Sequence, residues 1–273
     1  MTTPSPWLTR SATDRLRPTP FTAFDIGEAV TAYDRLVAAF EDWARVQYAV
    51  KARPDQALLT ALVRRGSALD VASSGEIRRA LGACCPPEDI ARSNVFAAAR
   101  ELAFARKNGV RVFTADSAAM VERLATVCPG ASVFVRVAHE HTTGAAQPLT
   151  GRFGCSEDEA VRIALLVARS GLHSAGLSRH VGSRQHDPAQ WGRAIARAAR
   201  ITDRLRRHGL TVEHLNLGGG LPGTYRTDVS PVEAYAHVIL TAFDHHFPHP
   251  HQPRLVLERE GPWWPTRASP SPR

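Results

Sequence analysis

The chain lacks any long apolar run: no window of its 273 residues reaches the about 18 uninterrupted apolar positions of a membrane span. Met1 to Pro20 is polar and dotted with proline, without the apolar centre of a secretory signal, and residues 1–18 are expected to form a disordered lead. Cysteine is scarce. The four present, Cys84, Cys85, Cys128 and Cys155, make no CxxC pair and no metal-ligand spacing, which points to reduced thiols in a cytoplasmic protein with no metal site. Aromatics are also few, at 7%, and are not interleaved with basic residues. That absence weighs against the nucleic-acid partner that a net charge of +8 invites. The arginines, such as Arg64-Arg65, Arg78-Arg79 and those from Arg197 to Arg207, read as solvated helix faces; an anionic or phosphorylated small molecule stays compatible. No Gly-x4-Gly-Lys phosphate loop occurs.

What is present is an ordinary globular composition, 44% hydrophobic and 22% charged, long enough for a sizeable core. Thr19-Pro20-Phe21 opens a short extended segment that ends near Asp25-Ile26. The next segment reads as a helix with Val30, Tyr33, Val37, Phe40 and Ala44 on one face. A buried strand over residues 46–51 then delivers Lys51 to a Pro54-Asp55 turn. Such a lysine is either a solvated cap or chemically used, and the strand alone leaves both open.

From there strands and helices alternate. Strands are expected at 68–72, 90–93, 110–114, 132–137, 176–183, 213–217 and 254–258. Helices are expected at 55–65, 76–82, 98–107, 156–170, 188–208 and 231–244, and another after Asp116-Ser117. Ser73 and Glu76 stand at capping-box spacing, and Ser156 precedes Glu157, Asp158 and Glu159 in a dipole-favoured first turn. Residues 139–155 form a longer polar loop. Eight strand–helix units over this length fit a closed (β/α)8 TIM-like barrel better than an open sheet. In such a barrel the chemistry lies at the C-terminal strand ends, where Lys51, Asp70, Arg136, His180, Ser183, Gly218, Gly219, Gly220 and Glu258 all fall.

Those residue types suit a phosphorylated pyridine aldehyde. Consecutive glycines let backbone N–H groups approach a phosphate, although a flexible turn needs no more than the same triplet. Ser183 can add a hydroxyl. An amine at an apolar barrel mouth can form a Schiff base, and a carboxylate such as Glu258 can pair with a protonated ring nitrogen. His180 can stack on the ring, but a lone strand histidine is more often structural.

The segments Tyr48-Ala-Val-Lys-Ala, Leu69-Asp-Val-Ala-Ser-Ser-Gly-Glu76, Gly109 to Ser117, His180-Val-Gly-Ser183 and Leu215-Asn-Leu-Gly-Gly-Gly220 resemble the fold-type III pyridoxal-phosphate decarboxylases. That family includes ornithine, lysine, arginine and diaminopimelate decarboxylases on an alanine-racemase-like barrel. The resemblance covers residues 19–258. It implies that Lys51 carries pyridoxal 5'-phosphate, that His180 stacks on it, that Ser183 and Gly220 hold the phosphate and that Glu258 meets the pyridine nitrogen. It also puts Asp70, Glu76 and Arg136 near the ring. The implied reaction is decarboxylation of a basic amino acid; the alternative is a pyridoxal-phosphate-binding barrel without that activity. A homodimer is the implied assembly, with no membrane or nucleic-acid partner.

The sequence departs from the family in places. Arg53 and Arg179 replace an asparagine and an aromatic, which is expected to bring two extra cations to the cofactor mouth and favour a more acidic substrate. Asn94-Val-Phe-Ala lacks the family's lysine. Glu258 is followed by Arg259 rather than Pro-Gly-Arg, and the family's C-terminal β-domain is therefore expected to be absent. If Gly261, Pro262 and Pro265 to Ala268 use G/C-ending codons, reading one base earlier across Trp263-Trp264 gives Pro-Val-Val-Ala-Asp-Ala-Gly. Residues 259–273 are therefore expected to be an unstructured tail, produced by a frameshift near codons 259 to 261.

Overall fold

The structure, a computed structural model, describes residues 24–139, 143–147, 151–223, 229–250 and 252–259. Ten strands are described: β1 (Ala44–Ala49), β2 (Ala68–Asp70), β3 (Ile90–Arg92), β4 (Val112–Ala115), β5 (Ser132–Arg136), β6 (Ala145–Gln147), β7 (His173–Ser178), β8 (Ser183–Gln185), β9 (His214–Asn216) and β10 (Arg254–Arg259). Eight of them, all but β6 and β8, pair in parallel and close on themselves, with β10 returning to β1 from Ala44–Leu255 to Tyr48–Arg259. The expected (β/α)8 barrel is the observed fold.

The helices are α1 (Ile26–Phe40), α2 (Gln56–Arg64), α3 (Ser74–Gly82), α4 (Ala99–Lys107), α5 (Ala118–Val127), α6 (Glu157–Arg169), α7 (Ala189–Arg207) and α8 (Val232–His246). Helix α1 precedes the first strand and packs against both α2 and α8, so it fills the outer ring beside β1 and β10. Ser156 and Glu159 form the reciprocal capping box that starts α6.

Strand alternation divides the side chains in two. Val46, Tyr48, Leu69, Phe113, Val135, Leu215 and Leu257 point outward into the continuous core under the helices. Each such side chain, fully buried, contributes about 1.5–3 kcal/mol. Their neighbours Gln47, Asp70, Thr114, Ser178, Asn216 and Glu258 are buried and polar, and by the same alternation line the lumen. Buried polar groups need hydrogen-bond partners, so these lumen positions are where polar contacts concentrate.

Several boundaries differ from expectation. In α1 the buried face is Ala29, Tyr33, Leu36 and Phe40, while Val30 and Val37 are half-buried; a 3-10 turn at Glu41–Trp43 ends the helix before Ala44, which starts β1. Strand β1 stops at Ala49, and Lys51 lies on a 3-10 turn at Val50–Ala52. Strand β7 covers His173–Ser178 rather than 176–183, because its register is set by β5 and β9. Ser183 instead belongs to β8, which pairs antiparallel with β6 inside the loop expected to lack structure. Ser73 caps α3, but Glu76 closes no box with it: its carboxylate takes the N–H of Ala72 at 2.8 Å. Of Asp116-Ser117, Ser117 stands at the N-cap of α5 without a side-chain capping bond, and the Asp116 carboxylate accepts from the Gly154 N–H at 3.0 Å. Arg259, expected to begin the tail, closes β10. The expected lead and residues 260–273 of the expected tail lie outside the described residues.

Candidate active site

The strand ends are joined by a ring of hydrogen bonds. Gly218 O accepts from Glu258 N (2.8 Å), Asn216 O from Arg179 N (2.8 Å), Ser178 O from Val137 N (2.8 Å) and Ala91 O from Val71 N (2.9 Å). These fix the positions from which the side chains reach inward.

On the β2–β3–β10 side, two buried carboxylates are held by named donors. Asp70 Oδ1 accepts from Ser93 N at 3.2 Å. Glu258 Oε1 accepts from Asn216 Nδ2 at 2.8 Å and from Ser93 Oγ at 3.3 Å, while Oε2 takes no hydrogen bond from any described residue. Asn216 is itself fixed, because its Oδ1 accepts from Gly218 N at 2.8 Å. Lys51 stands two residues beyond Ala49, the register partner of Asp70, on the turn that leaves β1.

On the β7–β9 side, the turn 179–182 and the glycine bend touch. A Cβ at Gly218 would collide with the Arg179 carbonyl oxygen and lie 3.1 Å from His180 Cα; one at Gly220 would lie 2.5 Å from Gly182 O. Both glycines have positive φ, +68° and +103°. They are therefore required by backbone crowding, whatever else they do. The consequence is that His180 and Ser183 are brought beside the bend, and Gln185 N binds Gly220 O at 2.8 Å. His180 is buried, and its Nδ1 accepts from Gly182 N at 3.0 Å, which assigns the ring proton to Nε2.

Gly219 and Gly220 are buried, yet their N–H groups donate to no acceptor among the described residues. Buried backbone donors are rarely left unspent, and two in succession near a serine are groups that could receive an anion. Gly218, Gly220 and Gly223 stand at GxGxxG spacing, but α8 begins only at Val232, so the helix start of a dinucleotide site is absent here. The residues present fit a phosphorylated ring: unspent N–H groups for the phosphate and an open carboxylate oxygen for the ring nitrogen.

Not every expected residue converges. One Glu76 oxygen is spent on Ala72 N–H, and the Arg136 guanidinium lies over the Phe153 ring at 4.8 Å. The two extra cations do not line an open mouth. Arg53 lies over the Phe24 ring at 4.1 Å, and Arg179 is fully buried, with Nη2 on Ala138 O at 2.6 Å. Arg92, buried too, ties Ala72 O (3.1 Å) to Asn94 O (2.9 Å); burial lowers its pKa, opposed by the charges of Glu101, Asp70 and Glu76.

Two contributors went unread in the sequence, Ser93 and Asn216. Asn216 left a signal: a polar residue between two leucines in a buried strand faces the lumen.

A closed parallel barrel with its polar lumen, unspent N–H groups and amine-bearing turn at the same rim is of the pyridoxal-binding class. A family model described as the pyridoxal-dependent decarboxylase, pyridoxal binding domain, matches residues 26–260, and the chain belongs to this family. It is 34% identical over 207 residues to a diaminopimelate decarboxylase of Zymomonas mobilis, covering 71% of this chain and 49% of the relative. It is 32% identical over 205 residues to a lysine/ornithine decarboxylase of Selenomonas ruminantium, covering 75% and 52%. The solved complex of SrLDC with PLP and cadaverine superposes with a TM-score of 0.83 at 28% identity, covering 94% of this chain and 64% of that one. The chain thus spans about half the length of these curated relatives. Among the described residues no helix is long and apolar enough to cross a membrane, and no cluster of histidine, cysteine or acidic residues could hold a metal ion.

Proposed function

We propose that this barrel binds pyridoxal 5'-phosphate through Lys51 and serves the decarboxylation of a basic amino acid of the ornithine, lysine or diaminopimelate kind. When bound, the cofactor supplies an electron sink for the charge left as the carboxylate departs. The chain's own residues do the rest. The Lys51 amine is the point of covalent attachment. The N–H groups of Gly219 and Gly220, with the Ser183 hydroxyl, hold the phosphate. Glu258, with Oε1 engaged by Asn216 and Ser93, presents Oε2 to the pyridine nitrogen and keeps a proton there. The buried His180 packs against the ring, its Nδ1 engaged by the Gly182 N–H.

The observation that carries this reading is the pair of unspent donors at Gly219 and Gly220 on the same rim as the open oxygen of Glu258. Asp70 accompanies the Lys51 side of the site. Glu76 and Arg136 support it from further out, through the α3 start and the Phe153 ring.

The test has two stages. Purified protein given the cofactor should gain a visible absorption band that a Lys51→Ala variant lacks; a colourless wild type would refute the binding. Release of CO2 from ornithine, lysine or diaminopimelate then tests the reaction. Binding without release from any of the three would make the chain a cofactor-binding protein alone.

A further inference from the structure

Ser93 sits on the loop after β3 and touches both lumen carboxylates, although its side chain has one hydroxyl. Its backbone N–H serves Asp70 Oδ1 (3.2 Å), and its Oγ donates to Glu258 Oε1 (3.3 Å), across the barrel mouth from β3 to β10. The loop that carries it is not loose. On one side Arg92, 2% exposed, grips Ala72 O and Asn94 O with its two terminal nitrogens. On the other, Asn94 Oδ1 accepts from Phe96 N at 3.0 Å. The position of the Ser93 hydroxyl is therefore set by a buried guanidinium rather than by solvent.

Two donors on one carboxylate oxygen have a directional consequence. A carboxylate with Asn216 Nδ2 and Ser93 Oγ both on Oε1 is held in one plane, with Oε2 as its remaining acceptor. Removing the Ser93 hydroxyl leaves Asn216 as the sole donor and lets the group turn about it. We propose that Ser93 is a positioning residue that couples the two carboxylates and fixes which oxygen of Glu258 faces the ring nitrogen. This rests on the reading of the rim as a pyridoxal-phosphate site. The role is carried by a half-buried serine next to a buried arginine, with no sequence motif to mark it.

The experiment compares wild type, Ser93→Ala, Ser93→Thr, Glu258→Ala and the Ser93→Ala/Glu258→Ala double variant. The first readout is urea unfolding of the cofactor-free chain, analysed as a double-mutant cycle. The hydroxyl–carboxylate contact should appear as a coupling of about threefold or more in the unfolding constant. Additive effects would overturn the proposal whatever the cofactor does. The second readout is affinity for pyridoxal 5'-phosphate, titrated by absorbance. Ser93→Ala should weaken it about threefold to tenfold, Ser93→Thr should restore it, and Ser93→Ala should add nothing once Glu258 is alanine. An equal loss in both backgrounds would mark a merely structural serine and overturn the proposal. A coupled pair in a wild type that binds no cofactor would uphold the hold of Ser93 on Glu258 while the functional reading fails.

Discussion

Gly218 and Gly130 share a left-handed backbone, φ +68° and +73°, but not a neighbourhood. A Cβ at Gly130 meets nothing within 4 Å; at Gly218 it collides with the Arg179 carbonyl and lies 3.1 Å from His180 Cα. Alanine at either position costs about 1–2 kcal/mol for the conformation itself. At Gly218 the collision adds about 1–3 kcal/mol, because the obstacle is backbone and cannot rotate away. The Gly218→Ala variant should thus lose about 2–5 kcal/mol and Gly130→Ala about 1–2 kcal/mol, out of a total of roughly 5–15 kcal/mol. Urea unfolding measures both, with the slope checked for equality so that the midpoint reports stability. Gly218→Ala should also push His180 and the glycine bend apart and weaken cofactor binding, which Gly130→Ala should not. Equal losses in the two variants would refute the argument that crowding, rather than turn conformation, demands glycine at the bend.

Other consequences follow from single contacts. Glu157 Oε1 accepts from Arg197 Nε and Arg200 Nη2, each at 2.7 Å. Burial raises the Glu157 pKa, but the two guanidinium bonds outweigh it and leave it below the ordinary carboxylate value. The folded state then gains stability above the ordinary carboxylate range and loses it as pH falls through the lowered value. Glu157→Gln should cost about 1–2 kcal/mol near neutrality and shrink towards nothing in acid, by urea unfolding at several pH values; a cost unchanged in acid would contradict it. The Trp191 indole N–H is fully buried without an acceptor among the described residues, so Trp191→Phe should change stability by less than about 1 kcal/mol, and a loss above about 2 kcal/mol would mean the N–H is satisfied. Of the four cysteines only Cys84 is exposed, and burial raises Cys85 and Cys155 to about 12. Thiol labelling at neutral pH should therefore modify one cysteine in the folded protein and four in denaturant.

The barrel was legible because its parallel strands are short apolar runs between amphipathic helices, each with its own stop signal, such as Asn108-Gly109 after α4. Boundaries were less so. On α1 the spacing puts Tyr33 and Phe40 on the buried face, as observed, but Val30 and Val37 in place of their neighbours Ala29 and Leu36, which the packing against both α2 and α8 buries. The β6–β8 pairing joins Ala-Ala-Gln to Ser-Arg-Gln, neither of which alternates in hydrophobicity, so nothing in the residues announced it. Among the candidate site residues, type and position alone leave Lys51 and His180 open between a structural and a chemical reading; it is the family resemblance that singles them out, with the glycines. Ser93 and the inward turn of Arg179 were not legible, since both depend on loops that meet only when the barrel closes.

The chain contains only two lysines, Lys51 at the barrel rim and Lys107 at the exposed end of α4. Borohydride treatment of protein incubated with pyridoxal 5'-phosphate, followed by peptide mass mapping, therefore gives a two-way answer. The site described here predicts a stable phosphopyridoxyl adduct on Lys51 and an unmodified Lys107. An adduct confined to Lys107, or none at all, would contradict it.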